Sequence, residues 1–268
     1  MSPLTAYVQG IGLIGPGLSD WRSGARSIAG AQPYSPQPTP VPAPEGLPAA
    51  ERRRTGITVR LAIGAAQQAL AAAGIAPDGL PAVFTSSGGD GLICHEICET
   101  LASSDRQVSP TRFHNSVHNA AAGYWSLATG ATAASTALCA YDGSFAAGLI
   151  EALALLTVDG DPVMLSAYET SYPEPLHAKR PLPEAFAVAM VLTPQPCART
   201  QAKLIVSLCE RGSAADRLAD PALEALRAAV PAARSLPLLE LLARRASGRV
   251  VLDYLGEDRI AVEVCECP

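Results

Sequence analysis

Two kinds of apolar spacing alternate along this chain, and together they predict an α/β fold. Residues 6–14 (AYVQGIGLI) mix small and branched apolar side chains and run into Gly15-Pro16-Gly17, which predicts a buried strand ended by a glycine turn. Between Arg52 and Gly74 the spacing becomes helical: Ile57, Leu61, Ala62, Ala65, Ala66 and Leu70 recur on one side, and Gly74 supplies the stop. Residues 81–85 predict a short apolar strand leading into Ser86-Ser87-Gly88-Gly89. Further strands are expected at 134–138, 162–168 and 185–192, and helices at 92–101, 120–127 and 143–156. Strands that are apolar on both faces, alternating with helices, imply a mixed or parallel sheet covered on both sides.

The remaining segments interrupt this rhythm. Residues 32–48 are proline-rich and without period, which predicts an extended surface loop. Residues 107–119 are polar and turn-rich and also predict a loop. The tail adds a strand at 202–209 and two short helices within 221–246, around Pro231 and Pro237. It ends in a hairpin of 249–254 with 259–264 across Leu255-Gly256-Glu257-Asp258. The chain therefore divides into residues 1–195 and a shorter portion, 196–268.

Composition narrows the function. With 49% hydrophobic and 17% charged residues the chain can bury a large core. The mean hydropathy of +0.19 owes much to alanine runs. The longest apolar stretch, 144–158, is broken by Glu151 and is shorter than the roughly 20 residues of a membrane span. The first basic residue is Arg22, so no charged leader precedes an apolar segment, and a cytoplasmic protein is expected. A net charge of −5 argues against nucleic acid as a partner. Seven cysteines, an odd number in such a setting, are expected as free thiols. Cys94, His95 and Cys98 form a C-H-x-x-C group with no second ligand pair, and Cys265 and Cys267 would share one face of a strand; zinc takes four ligands, so no metal is expected. Gly10 and Gly12 lie inside the first strand rather than at a helix start, so no dinucleotide cofactor is expected either.

The segment Ser135-Thr136-Ala137-Leu138-Cys139-Ala140-Tyr141-Asp142-Gly143-Ser144-Phe145 carries the chemistry. A strand enters a cysteine and small residues, and an alanine-rich helix follows. A thiol at such an elbow sits near free N–H groups and the positive end of the helix, which favours a thiolate able to accept an acyl group. Asp142 opposes this by like charge. A simpler role for Cys139 is a small buried residue at a tight junction. His114 and His118 are four apart, but Pro110 and the polar surroundings place them in a loop, where they would shape an interface by hydrogen bonding. His177 reads as a solvated loop residue, and Arg52-Arg53-Arg54 as the solvated start of the first long helix.

These residues resemble the β-ketoacyl synthases of the thiolase superfamily, whose nucleophile lies in a segment like S-T-A-C-A. Tyr7-Val8-Gln9-Gly10-Ile11-Gly12 is similar to their first strand, and Thr85 through Gly91 to their glycine-rich loop. Ser109 through Gly123 is similar to the segment that runs along their subunit interface. Leu138 takes the nucleophile's place if Ser-Thr-Ala is matched, Cys139 if one residue is inserted. The closest resemblance is to chain length factor-like members from aryl polyene and pigment biosynthesis. It implies a thiolase-like α/β fold with the N-terminal half intact and the C-terminal half truncated. The family's condensing members use two histidines, or a histidine and an asparagine, from their second half; after Cys139 this chain has only His177. The resemblance therefore implies a non-catalytic subunit in a heterodimer with a β-ketoacyl-ACP synthase, with acyl carrier protein docking through that partner and no cofactor. Phe113, Asn115, His118, Asn119, Tyr141 and Phe145 would lie at the acyl tunnel or the interface. The alternative is a stand-alone acyltransferase or condensing enzyme with Cys139 as nucleophile.

Overall fold

A computed structural model describes residues 3–267. The chain opens with β1 (Leu4–Ile14) and α1 (Trp21–Ile28), and the proline-rich loop leads to α2 (Ala49–Arg54) and α3 (Ile57–Ala73). Then come β2 (Ala82–Thr85), α4 (Gly91–Ala102), α5 (Pro110–Asn115), α6 (Ala120–Thr129) and β3 (Ser135–Leu138). A 3-10 turn, Tyr141–Gly143, introduces α7 (Ser144–Asp159), followed by β4 (Val163–Glu169), α8 (Leu176–Lys179) and β5 (Phe186–Thr193). The tail holds β6 (Ala202–Leu208), α9 (Pro221–Ala229), a 3-10 turn at Pro231–Ser235, α10 (Leu236–Arg244), β7 (Gly248–Asp253) and β8 (Arg259–Cys265). All strands join one eight-stranded sheet in the order β3-β2-β4-β5-β1-β6-β8-β7. β3, β2 and β4 are parallel, and every other pairing is antiparallel, so the sheet is mixed.

The period of two along each strand divides the core into two layers. Val83, Val163, Leu165, Val188 and Met190 face α7 and the tail helices. Ala82, Phe84, Met164, Ala187 and Ala189 face α3 and α6. On β1, Gly10 and Gly12 turn to α3, and a Cβ on either would overlap a backbone carbonyl oxygen of that helix, of Ala69 and Ala65 respectively. Their G-x-G spacing is thus a helix-packing device. Counting the 3-10 turn, Tyr141–Asp159 is 19 residues long and apolar enough by composition to cross a membrane; half of it is buried within the protein, as in a core helix.

Three local expectations need correction. The helix expected over 52–74 is two helices, because Thr55 is extended (ψ 121°) and Gly56, also extended, caps α3. The three arginines therefore end α2 instead of opening a long helix, and cations at a helix C-terminus are favourable. The loop expected at 107–119 contains α5: the Ser109 side chain accepts the Arg112 N–H, and Pro110 fits the first helical turn. His177, expected in a loop, lies in the short α8.

Candidate functional site

The corner between β3 and α7 is the feature that sequence analysis singled out. Its apex is Tyr141, whose φ of +50° is disfavoured for a residue with a Cβ by about 1–2 kcal/mol. A strained strand-to-helix corner is where elbow-type enzymes carry their nucleophile. Here that place holds a phenol.

Three sets of contacts hold the corner. From α7, the Ser144 hydroxyl accepts the Ala140 N–H at 3.0 Å and donates to the Tyr141 carbonyl at 2.7 Å, while Thr85 of β2 donates to the Ser144 carbonyl at 2.9 Å. From the α8 segment, the Arg180 guanidinium lies 3.5 Å from the centroid of the Tyr141 ring and bonds Asp142 at 3.0 Å. From the tail, Arg234 bonds the other oxygen of Asp142 at 3.0 Å, and the Tyr254 backbone closes over Gly143, where a Cβ would collide with its carbonyl. Asp142, expected to oppose a thiolate, is thus neutralised by two guanidinium groups.

Cys139 is exposed, not a buried filler. The reason is topological: β3 is a four-residue edge strand, and the chain leaves it at the surface. Among the described residues no hydrogen bond reaches its sulfur, from a histidine or any other base. His114 packs edge-on against Tyr124, with ring centroids 6.1 Å apart, and His118 lies against Gly89. Neither side chain makes a hydrogen bond among the described residues.

The other expected site residues separate into surface and interior. Phe113 is 67% exposed on α5, and Asn119 is exposed at the start of α6. Asn115 is buried: its amide donates to the Arg54 carbonyl at 2.8 Å and its oxygen accepts the Tyr124 hydroxyl at 2.9 Å, so it ties α5 to α2 and α6. Phe145 is 1% exposed within the core layer beneath α7. Leu92 and Leu101 of α4, Phe113 of α5, Val117 in the turn after α5, and Leu127 of α6 are all exposed. The C-H-x-x-C group lies on α4 with both thiols exposed and His95 paired to Glu99 at 3.3 Å.

One buried acid escaped the sequence reading. Glu169, at the end of β4, is fully buried and accepts the Ser87 N–H and the hydroxyls of Ser87 and Ser86. Burial pushes its carboxyl up to about 7, against the pull of those hydrogen bonds and of Arg180. The loop Ser86–Gly89 was visible in the sequence, but nothing there indicated which acid would hold it. Nearby, Asp90 caps α4 and accepts the Thr58 hydroxyl at 2.9 Å, at the wall of a cavity of about 580 Å³ lined also by Pro38, Val41, Ile57 and Thr170.

A mixed sheet between two helical layers, with a strand–elbow–helix corner at its edge, defines a thiolase-type fold. The family description "Beta-ketoacyl synthase, N-terminal domain" matches residues 21–247, and the chain belongs to that family. Among solved structures it is similar to a chain of the complex of the ketosynthase ApeO with its chain length factor ApeC from Xenorhabdus doucetiae, with 23% identity, a TM-score of 0.73 and coverage of 97% of this chain and 99% of that one. It is similar also to the ishigamide ketosynthase/chain length factor, with 13% identity, a TM-score of 0.72 and coverage of 98% and 100%. A third likeness is to AntDE:AntF, a type II polyketide acyl-carrier protein in complex with its ketosynthase bound to the hexaketide (12% identity, TM-score 0.71, coverage 99% and 100%). These likenesses establish the fold. No curated protein matches the sequence.

Proposed function

We propose that this chain is a non-catalytic, chain length factor-like subunit that pairs with a β-ketoacyl-ACP synthase and shapes the tunnel in which a polyene or fatty-acid-like chain grows. The observation that carries this reading is the occupant of the elbow: Tyr141 stands at the strained apex, and among the described residues no base hydrogen-bonds the nearby thiol of Cys139. Decarboxylating a malonyl unit builds an enolate whose charge needs hydrogen-bond donors aimed at it. The partner then supplies the cysteine and histidines, and acyl carrier protein reaches the pair through that partner, in the cytoplasm and without a cofactor. The exposed apolar side chains of α4, α5 and α6, with Phe113 foremost, support this pairing, since exposed apolar surface favours association. Aryl polyenes are the product class that the family resemblance favours.

Coexpression with a complete β-ketoacyl-ACP synthase should yield a stable heterodimer on size-exclusion chromatography. Release of carbon dioxide from a malonyl thioester by the purified chain alone, at an enzymatic rate, would overturn the proposal. The exposure of Cys139 favours one other reading, a stand-alone acyltransferase. Mass spectrometry after incubation with an acyl-carrier substrate decides between them: stable acylation of Cys139 with turnover and no partner supports the acyltransferase.

A further inference from the structure

Tyr141 does not hold its own position. Its left-handed backbone is disfavoured and its side chain is 63% exposed, so the fold must fix it from outside. The ring rests on Arg180, Arg180 bonds Asp142, and Asp142 bonds Arg234. Arg234, on the 3-10 turn of the tail, bonds Asp253 of β7 at 2.7 Å. Asp253 in turn meets Arg259 of β8 at 3.0 Å and Arg227 of α9 at 3.5 Å, and Arg227 closes the chain of pairs on Glu224 at 2.7 Å. Most of these side chains are largely buried, where screening by salt is weak and geometry is retained. The relay thus runs from the tail sheet to the elbow across elements far apart in sequence.

We propose that Arg234, backed by Asp253, is a positioning residue: it holds Tyr141 at the corner through Asp142 and Arg180, so that residues 196–267 set the aromatic surface that the elbow offers to the partner subunit. The identity of that partner rests on the function proposed above; the relay itself does not. Arg234→Met is the informative variant, because Asp142 keeps Arg180 and Asp253 keeps Arg259 and Arg227, so no acid is left without a cation.

The test has two arms on the full chain. In the first, 3-fluorotyrosine replaces Tyr141 and its fluorine resonance is recorded without a partner; Arg234→Met should move it towards the value of the free amino acid, and Arg234→Lys should bring it part of the way back. In the second, affinity for the synthase is measured. Arg234→Met should weaken it about tenfold, and that loss should disappear in a Tyr141→Ala background, because two residues acting through one another are not additive. An unmoved resonance overturns the proposal, and so does an equal loss in both backgrounds. If no synthase takes up the wild-type chain, the functional reading falls, and the fluorine shift by itself still upholds or overturns the relay.

Discussion

The two edges of the sheet are built in opposite ways. At the tail edge, β7 is closed by the loop before α9: the Val251 N–H donates to the Asp216 carboxylate at 2.7 Å, and the Asp216 N–H donates to the Val251 carbonyl at 2.9 Å. Arg249 adds an exposed charge there. At the other edge, β3 has four residues, and among the described residues nothing bonds its outer side. The neighbouring α6 leaves Leu127 exposed. Strand edges attract other chains, and proteins commonly blunt them with charge, cover or shortness. One edge here is blunted by cover and charge. The other is only short. The contrast separates the edge that closes the fold from the edge that is left open.

The largest effect should come from the core behind the open edge. Phe145→Ala should cost about 3–5 kcal/mol in urea denaturation, because it removes a fully buried ring from α7; a loss below ~1 kcal/mol would mean that this side of the corner is poorly packed. At the closed edge, Asp216→Ala leaves the buried Val251 N–H without its acceptor and should cost about 1–3 kcal/mol, with self-association appearing in light scattering. If the variant stays monodisperse, cover is not what keeps β7 apart from other chains.

The third effect is a slope with pH. Glu169 has its carboxyl raised from 4.5 to about 7 in the fold, so between those values the folded state holds a proton that the unfolded chain has released. Its contribution is therefore full below about 4.5 and is lost as pH rises through about 7. Glu169→Gln, which stays neutral, should flatten denaturation midpoints over that window, whereas an unchanged slope would assign it to other groups. The smallest change in stability, within about 0.5 kcal/mol, is expected for Phe113→Ala, since its ring is mostly in solvent. The same variant should weaken the heterodimer and alter product length; wild-type affinity and product would remove Phe113 from the interface.

Much of the architecture could be read from spacing. Apolar runs marked β4 and β5 as strands buried on both faces, and Gly74 ended α3 where expected, with φ +68°. The local errors came from capping. Ser109-Pro110 is a helix-start signal that the polarity of its surroundings obscured, and Gly56 is a boundary hidden inside a helical period. The site was legible only as a segment. The residues from Ser135 to Phe145 marked the corner, but a one-residue ambiguity in the strand end left Leu138 and Cys139 as the candidates, and neither is the apex.

The amino-acid sequence alone determined the alternation of strands and helices, the family resemblance and the lack of a histidine motif after Cys139, because each depends on residue type and on spacing along the chain. Tertiary structure alone decided which residue stands at the corner, that Asp142 is neutralised by Arg180 and Arg234, and that Glu169 lies beneath Ser87. These are contacts between segments distant in sequence. A one-dimensional pattern gives the partners their chemistry, and only the packed sheet determines which of them meet.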